Sequence, residues 1–483
     1  MFPLRGSRGI PTWNLLKWDG RFRLSDPIHR GYPLRVSWAW FPVFFLNPWS
    51  WGFQPFRPAE PVVLAGSDIP EFAGVPVTEM RLMALIEGGW VPVPVQIDEK
   101  GVDGSFFSAD DGLWDANDQL VFQPQQGGLS ASIVQWVEDG QARQNPRLCV
   151  EITDPVHGGQ RWVYLYRSAT LAPFDGPPLV DYDAGEDLIS GQNYQIGFDP
   201  NSRIWNRLFF MDGLGVTADL FDREKLRIRA TVPIIGTVNL NEEDVDPLQI
   251  LTLAGPVRII RLVEGEISLL LTTIPFDSER HFYRSFFEIP GGGTFQIPDG
   301  IGLESVRIST DFSQQALGGT VTDPNNTPLG VDGIPDAAVQ TAISPAQQAQ
   351  YWYAFEFMGF QLIQGGQFAN LATDVRFYYH DDDTGGSADG TPDTGDGQSF
   401  GDSGVWLQDF QAGEAMLALN TYIDADGSLS GPLVAGYLTE PLSVNVVQQQ
   451  FADSFLEWIA LWGSGDPLAP DVLFLSQFIN LFP

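Results

Sequence analysis

Cysteine is nearly missing from this chain: Cys149 is the only one among 483 residues. An intrachain disulfide, a cysteine-based zinc cluster and a CxxCH haem site are therefore excluded. The setting of Cys149, "RLCVEITD", predicts a buried strand position. Lysine is almost as scarce, occurring only at Lys17, Lys100 and Lys225. The four histidines, His29, His157, His281 and His380, never stand four residues apart, so no zincin helix is present. There is no GxSxG elbow and no P-loop. No uninterrupted apolar run reaches the roughly 20 residues of a spanning helix. The nearest, Val36–Phe53, is broken by Pro42 and by Asn47-Pro48. No repeat recurs at a solenoid period.

Negative charge is what the chain has in excess. It carries 61 acidic against 26 basic side chains, a formal net charge of −35. Phosphates would be repelled by such a body, so nucleic acid is not an expected partner. The charge is unevenly spread. Residues 1–57 hold Arg5, Arg8, Lys17, Arg21, Arg23, Arg30, Arg35 and Arg57 against only Asp19 and Asp26, a balance of +6. Within them lies "VSWAWFPVFFLNPWSWGFQPF", with Trp38, Trp40, Trp49, Trp51, Phe44 and Phe45 as expected docking residues. Trp and Arg are enriched at membrane interfaces and at binding hot spots. The expectation is an arm that docks on a membrane surface or a membrane protein complex. Basic residues before and an acidic body after place that body on the periplasmic or extracellular face.

Beyond the arm, Gly 51 and Pro 36 with short apolar runs predict β structure rather than long helices. "EMRLMALIEGGWVPVPVQIDEKG" reads as two strands turning at Gly88-Gly89, with Pro92 and Pro94 marking an edge. "PRLCVEITDP" and "QRWVYLYRS" read as a hairpin around "DPVHGG". The Pro/Gly/Asp-rich "APFDGPPLVDYDAGED" suggests a boundary near 170–187. The organisation expected is an arm (1–57), β domains at 58–175 and 176–318, and a β segment at 319–483 with Asp/Gly-rich loops. In "VVQQQFADSFLEWIALWG", Phe451, Phe455, Leu456 and Ile459 fall at helical spacing. The fold class is therefore mainly β: two or three antiparallel sandwich-like domains with an extended N-terminal arm and a short helical C-terminal segment.

The stretches "VPVPVQIDEKGVDG…DGLWDANDQLVF", "EITDP…RWVYLYRS" and "AGPVRIIR" resemble a group of uncharacterised exported bacterial proteins. The strand pattern is also faintly similar to the large antiparallel sandwiches of the galactose-mutarotase type, shared by some polysaccharide lyases. The resemblance covers about half the chain, implies a β-sandwich, and carries over no active-site residue.

Chemistry has few places to reside. "DGIPD" (Asp332, Asp336) and "DGTPDTGD" (Asp389, Asp393, Asp396) set carboxylates around glycine turns, as a hard cation needs, so Ca²⁺ is the expected cofactor. "DANDQ" (Asp115, Asn117, Asp118) and "DADGS" (Asp424, Asp426, Ser428) follow the same pattern, which is also that of ordinary turns. In "KLRIRAT", Lys225, Arg227 and Arg229 alternate with apolar residues. That basic face suits a ligand, or pairing with Glu242, Glu243 and Asp244. His281 stands near Arg280, Tyr283 and Arg284, a combination suited to a sugar acid or to a plain strand. His380 beside Asp381–Asp383 reads as a metal position or a solvated acidic loop. Two functions lead, ahead of a third, a free secreted protein stabilised by calcium. One is a non-catalytic accessory or scaffolding subunit on the outer face of a membrane-associated complex, of respiratory or photosynthetic kind. The other is a carbohydrate-binding or carbohydrate-processing protein on a mutarotase-like sandwich.

Overall fold

A computed structural model describes residues 56–452, apart from 110, 200–203, 213–214, 270–271, 291–299, 336, 369–371, 386–390, 392 and 411–417. The six aromatic docking residues, Asp336 and Asp389 lie outside the described residues.

Strands dominate, and every pairing between the strands is antiparallel. The reason is visible in the alternation. Val163 and Leu165 of Gln160–Arg167 point into a core with Leu148, Val150 and Ile152, while Tyr164 and Tyr166 face a second cluster with Trp136 and Cys149. A strand buried on both faces tolerates apolar residues at every position. The hairpin of Met80–Ile86 with Gly89–Pro92 turns at Gly88 and Gly89, whose φ of +113° and +132° only glycine adopts without strain. Gly89–Pro92 is the outermost strand of its five-stranded sheet, where Pro92 leaves no ladder bond unmade. Cys149 is buried on a strand, where burial pushes its thiol up to about 11 and keeps it unreactive.

Two large sheets form the main body. A nine-stranded sheet and a six-stranded sheet enclose one aromatic-rich core, including Trp205, Phe221, Phe282, Phe312, Phe355 and Phe377. Strands from both sides of residue 318 share each of these sheets. The N-terminal region covers the other face of the nine-stranded sheet, through Ala59 and Val121 against Tyr283, Phe286 and Tyr422. Ser443–Gln449 pairs back onto Arg147–Thr153.

That last pairing corrects the reading of the "VVQQQ" start as helical. Val446 through Gln449 are strand, because the exposed edge of Arg147–Thr153 supplies their backbone partners. Residues from 453 on lie outside the described part. The α-helix among the described residues is Gly431–Thr439, with proline in its first turn, as suits that position. It packs on the nine-stranded sheet through Val434 and Tyr437. No helix of the described residues is long and apolar enough to cross a membrane.

Candidate functional site

The outer face of the six-stranded sheet is built by alternation. In Phe221–Val232, Ile228 and Ala230 are buried inward, which leaves Lys225, Arg227 and Arg229 on the opposite face. Register then fixes their neighbours. Arg227 stands opposite Asn241 on one side and Arg307 on the other; Arg307 stands opposite Trp406, and Trp406 opposite Arg376. One step along, Arg229 lies between Asn239 and Ser305, and Ser305 pairs with Gln408. Cross-strand neighbours are about 5 Å apart, so these side chains form a continuous polar surface with one indole in it.

Loop residues close over half of this face. Lys225 donates to Asp393 at 2.5 Å and pairs with Asp311; Asp393 also accepts from Ser399 Oγ at 2.8 Å. Arg227 pairs with Glu242 and donates to Thr394 Oγ1 at 2.8 Å. Lys225 is consequently fully buried. Burial opposes its charge, but Asp311, Asp402 and Asp393 outweigh this and hold its pKa above the lysine range. Glu242 therefore pairs with the basic strand as its closeness in sequence suggested, whereas the partners of Lys225 come from distant strands and loops.

The other half stays open. Arg229, whose side chain is 52% exposed, pairs with Glu304 at 2.7 Å. Beside them is a cleft of about 350 Å³ lined by Arg229, Asn239, Glu304, Arg307, Trp406 and Gln408, among others. The Arg307 guanidinium lies 4.1 Å over the Tyr378 ring, and Tyr378 meets Trp406 edge-on at 6.0 Å. Hydrogen bonds from Thr231 and Arg229 hold the Glu304 carboxyl below the usual range. At neutral pH it is a charged acceptor rather than a proton donor.

In the same strand, Phe221–Val232, burial and then the nearby Asp396 push Asp222 up to about 6. A raised carboxyl pKa means that the folded state binds more protons, so stability falls as pH rises from about 4 to about 6. Asp222→Asn should remove that loss. Its expected gain is about 1–2 kcal/mol above pH 6, discounted because the group is partly solvated. Below about pH 4 the gain should vanish. Urea melts at pH 4 and pH 7.5 check this.

Of the carboxylates considered for calcium, Asp393 is engaged by Lys225. Asp332 accepts the Ile334 N–H and Asp396 the Gln398 N–H, both as turn bonds. Asp118 accepts the N–H groups of Lys100 and Asp115, and Asp424 that of Leu429. Among the described residues no group of three His, Cys, Asp or Glu side chains is arranged to hold a metal. His380 and Asp381 are buried at 5% and 1% exposure, with His380 on a strand opposite Asp402. The solvated-loop reading is thereby corrected for Asp381 and Asp382, which are buried strand residues, whereas Asp383 is an exposed turn residue as expected.

Strand alternation divides the residues around His281. Arg280 faces the other way and pairs with Glu224 at 2.6 Å. His281 lies between Glu279 at 2.8 Å and Glu288 at 3.5 Å, with Tyr283 donating to Glu288 at 3.1 Å. Arg258 approaches His281 at 3.5 Å, and it also pairs with Asp98 of the N-terminal region at 2.7 Å. This cluster joins two layers of the protein. Arg258 and Asp98 were missed from sequence because nothing local links them; Trp406 and Arg307 were missed for the same reason.

No protein-family model and no curated protein matches the sequence. Solved structures similar to it include an α-mannosidase from Enterococcus faecalis V583, at 10% identity and a TM-score of 0.42, covering 83% of this chain and 45% of that one. A glycosyl hydrolase family 38 protein, also from Enterococcus faecalis, has 10% identity and a TM-score of 0.43, covering 83% and 46%. A family 92 glycosyl hydrolase has 13% identity and a TM-score of 0.20, covering 59% and 36%. The chain thus spans less than half the length of each of these proteins.

Proposed function

We propose that this protein binds carbohydrate in the cleft on the outer face of its six-stranded sheet. The observation that carries this reading is the placement of Trp406 among planar two-pronged polar groups: Arg229, Arg307, Asn239, Gln408 and Glu304. A sugar ring offers an apolar C–H face to an indole and adjacent hydroxyls to such groups, which can donate or accept in pairs. A volume near 350 Å³ suits a small ligand. Because Glu304 is held ionised, the cleft is equipped to bind rather than to protonate a leaving group. The carbohydrate reading is preferred to that of an accessory subunit because the cleft itself supplies groups suited to a sugar.

The test is calorimetry against a panel of neutral and acidic oligosaccharides. Trp406→Ala should weaken the tightest binder by 10- to 100-fold, since a buried aromatic contributes about 1.5–3 kcal/mol. Binding unchanged by that substitution, or no saccharide bound by the parent protein, overturns the proposal.

A further inference from the structure

Among the described residues every arginine but one engages its guanidinium with a carboxylate, a carbonyl, an amide or an aromatic ring. The exception is Arg284, for which no such contact exists. In a chain with 61 acids and 26 bases, an unpaired cation is anomalous. Arg284 is also half-buried, and burial alone lowers its pKa, so its charge is partly desolvated without a partner in return.

Its position is fixed from several sides. Arg284 sits in the turn between Thr272–Phe282 and Phe286–Ile289, closed by the Tyr283 N–H to the Phe286 carbonyl at 2.7 Å. The Arg284 carbonyl accepts the Gln192 N–H at 2.5 Å, and the Tyr283 carbonyl accepts the Tyr194 hydroxyl at 2.6 Å. A Cβ on Gly191 would lie 2.5 Å from the Arg284 carbonyl oxygen, so the two segments meet at backbone distance. Arg284 lines a cleft of about 460 Å³ whose walls include Phe174, Pro177 and Pro178 from the proline-rich joint, with Gln126 and Gln192 as amide donors. Asp181, exposed, also lines the cleft and makes no ion pair with Arg284.

We propose that this second cleft binds an organic carboxylate carried on a ring-sized body. The guanidinium fork matches a carboxylate bidentately, the glutamine amides supply further donors, and the Phe174–Pro177–Pro178 wall packs the body. The pinned turn fixes the backbone that carries the cation at the cleft wall before the ligand arrives, so only the side chain remains to be ordered on binding. The site shares no lining residue with the sheet-face cleft and does not depend on the carbohydrate reading.

The experiment titrates the full chain with benzoate, with benzamide as its uncharged isostere, and with glucuronate as the saccharide form of the same group. Benzoate or glucuronate should bind saturably in the millimolar range and raise the melting midpoint. Tighter glucuronate assigns the site to an acidic sugar; tighter benzoate assigns it to an apolar acid. Arg284→Gln should weaken carboxylate binding about tenfold or more and Arg284→Lys less, because one ammonium replaces a fork. The midpoint of Arg284→Gln without ligand should not fall, since no internal partner is lost; a structural arginine would lower it. Should Arg284→Gln fail to fold, Gln192→Glu places a carboxylate opposite Arg284, and should abolish ligand binding while raising the midpoint. Trp406→Ala should leave all of this intact. Benzamide binding as well as benzoate, Arg284→Gln binding carboxylate like the parent, or no saturable carboxylate binding overturns the proposal.

Discussion

Lys225→Met should destabilise the protein by about 3–5 kcal/mol at pH 7.5, the usual result of removing one partner from a buried ion pair. Lys225 and Asp311 are both at 0% exposure, and Asp393 is at 5%. Methionine keeps the stem of the side chain and removes the charge, leaving carboxylates in a place without water. The pH dependence identifies the cause. Burial, against the pull of Lys225, already holds the Asp311 pKa well above the usual range. Without the lysine it should rise further, so the variant should recover stability as pH falls and the folded state takes up protons. Adding Asp311→Asn to Lys225→Met should restore part of the loss, and the double-mutant cycle gives the coupling directly. Urea denaturation at pH 5.5 and pH 7.5 measures both effects. A loss unchanged between those pH values would point to packing instead of charge. Because Asp393 anchors the loop beside the sheet-face cleft, saccharide binding should weaken along with stability.

The second large effect is expected at Arg57, which the sequence grouped with the N-terminal arm. In the structure Arg57 is fully buried and belongs to the body. Its guanidinium donates to Glu60 at 2.5 Å, to Asp154 at 3.1 Å and to the Glu440 carbonyl at 2.6 Å, at the end of Gly431–Thr439. It also lies 4.5 Å over the Tyr437 ring, whose hydroxyl meets His157 at 2.7 Å. A cation at a helix C-terminus is favoured by the helix dipole, and stacking adds to it. Arg57→Ala should cost about 3–5 kcal/mol, because Asp154 and Glu60 lose their buried partner. A chain starting at Phe53, where the compact unit begins, should melt close to the full chain, whereas one starting at Pro58 should melt well below it. Equal melting of the two truncations would show Arg57 to be dispensable. The same comparison decides where to cut when the docking role of residues 1–57 is tested: removal through Arg57 confuses attachment with stability.

The sequence by itself determined the β class, the buried strand around Cys149 and the local hairpins. Alternation and turn chemistry act within a few residues, and Gly88-Gly89 needs nothing from elsewhere to turn the chain. It also determined that Lys225, Arg227 and Arg229 share one face, since side chains on a strand repeat every two residues. Glu242 as a partner of Arg227 was legible from its closeness in sequence, but the acids that meet Lys225 were decided only by the tertiary structure. Asp393 lies 168 residues from Lys225, and Asp98 lies 160 from Arg258. Beyond residue 57 acids are so frequent that most bases have several carboxylates near them in sequence, so proximity alone seldom selects a partner. Sheet register selects it. Pairing Gly302–Phe312 between Phe221–Val232 and Ser399–Phe410 sets Arg307 beside Trp406 and lays Asp311 against Lys225. The turn between Thr272–Phe282 and Phe286–Ile289 separates His281 from Arg284, sending one to an interlayer network and the other to a cleft. Neighbours in sequence become members of different sites because successive side chains on extended chain point apart.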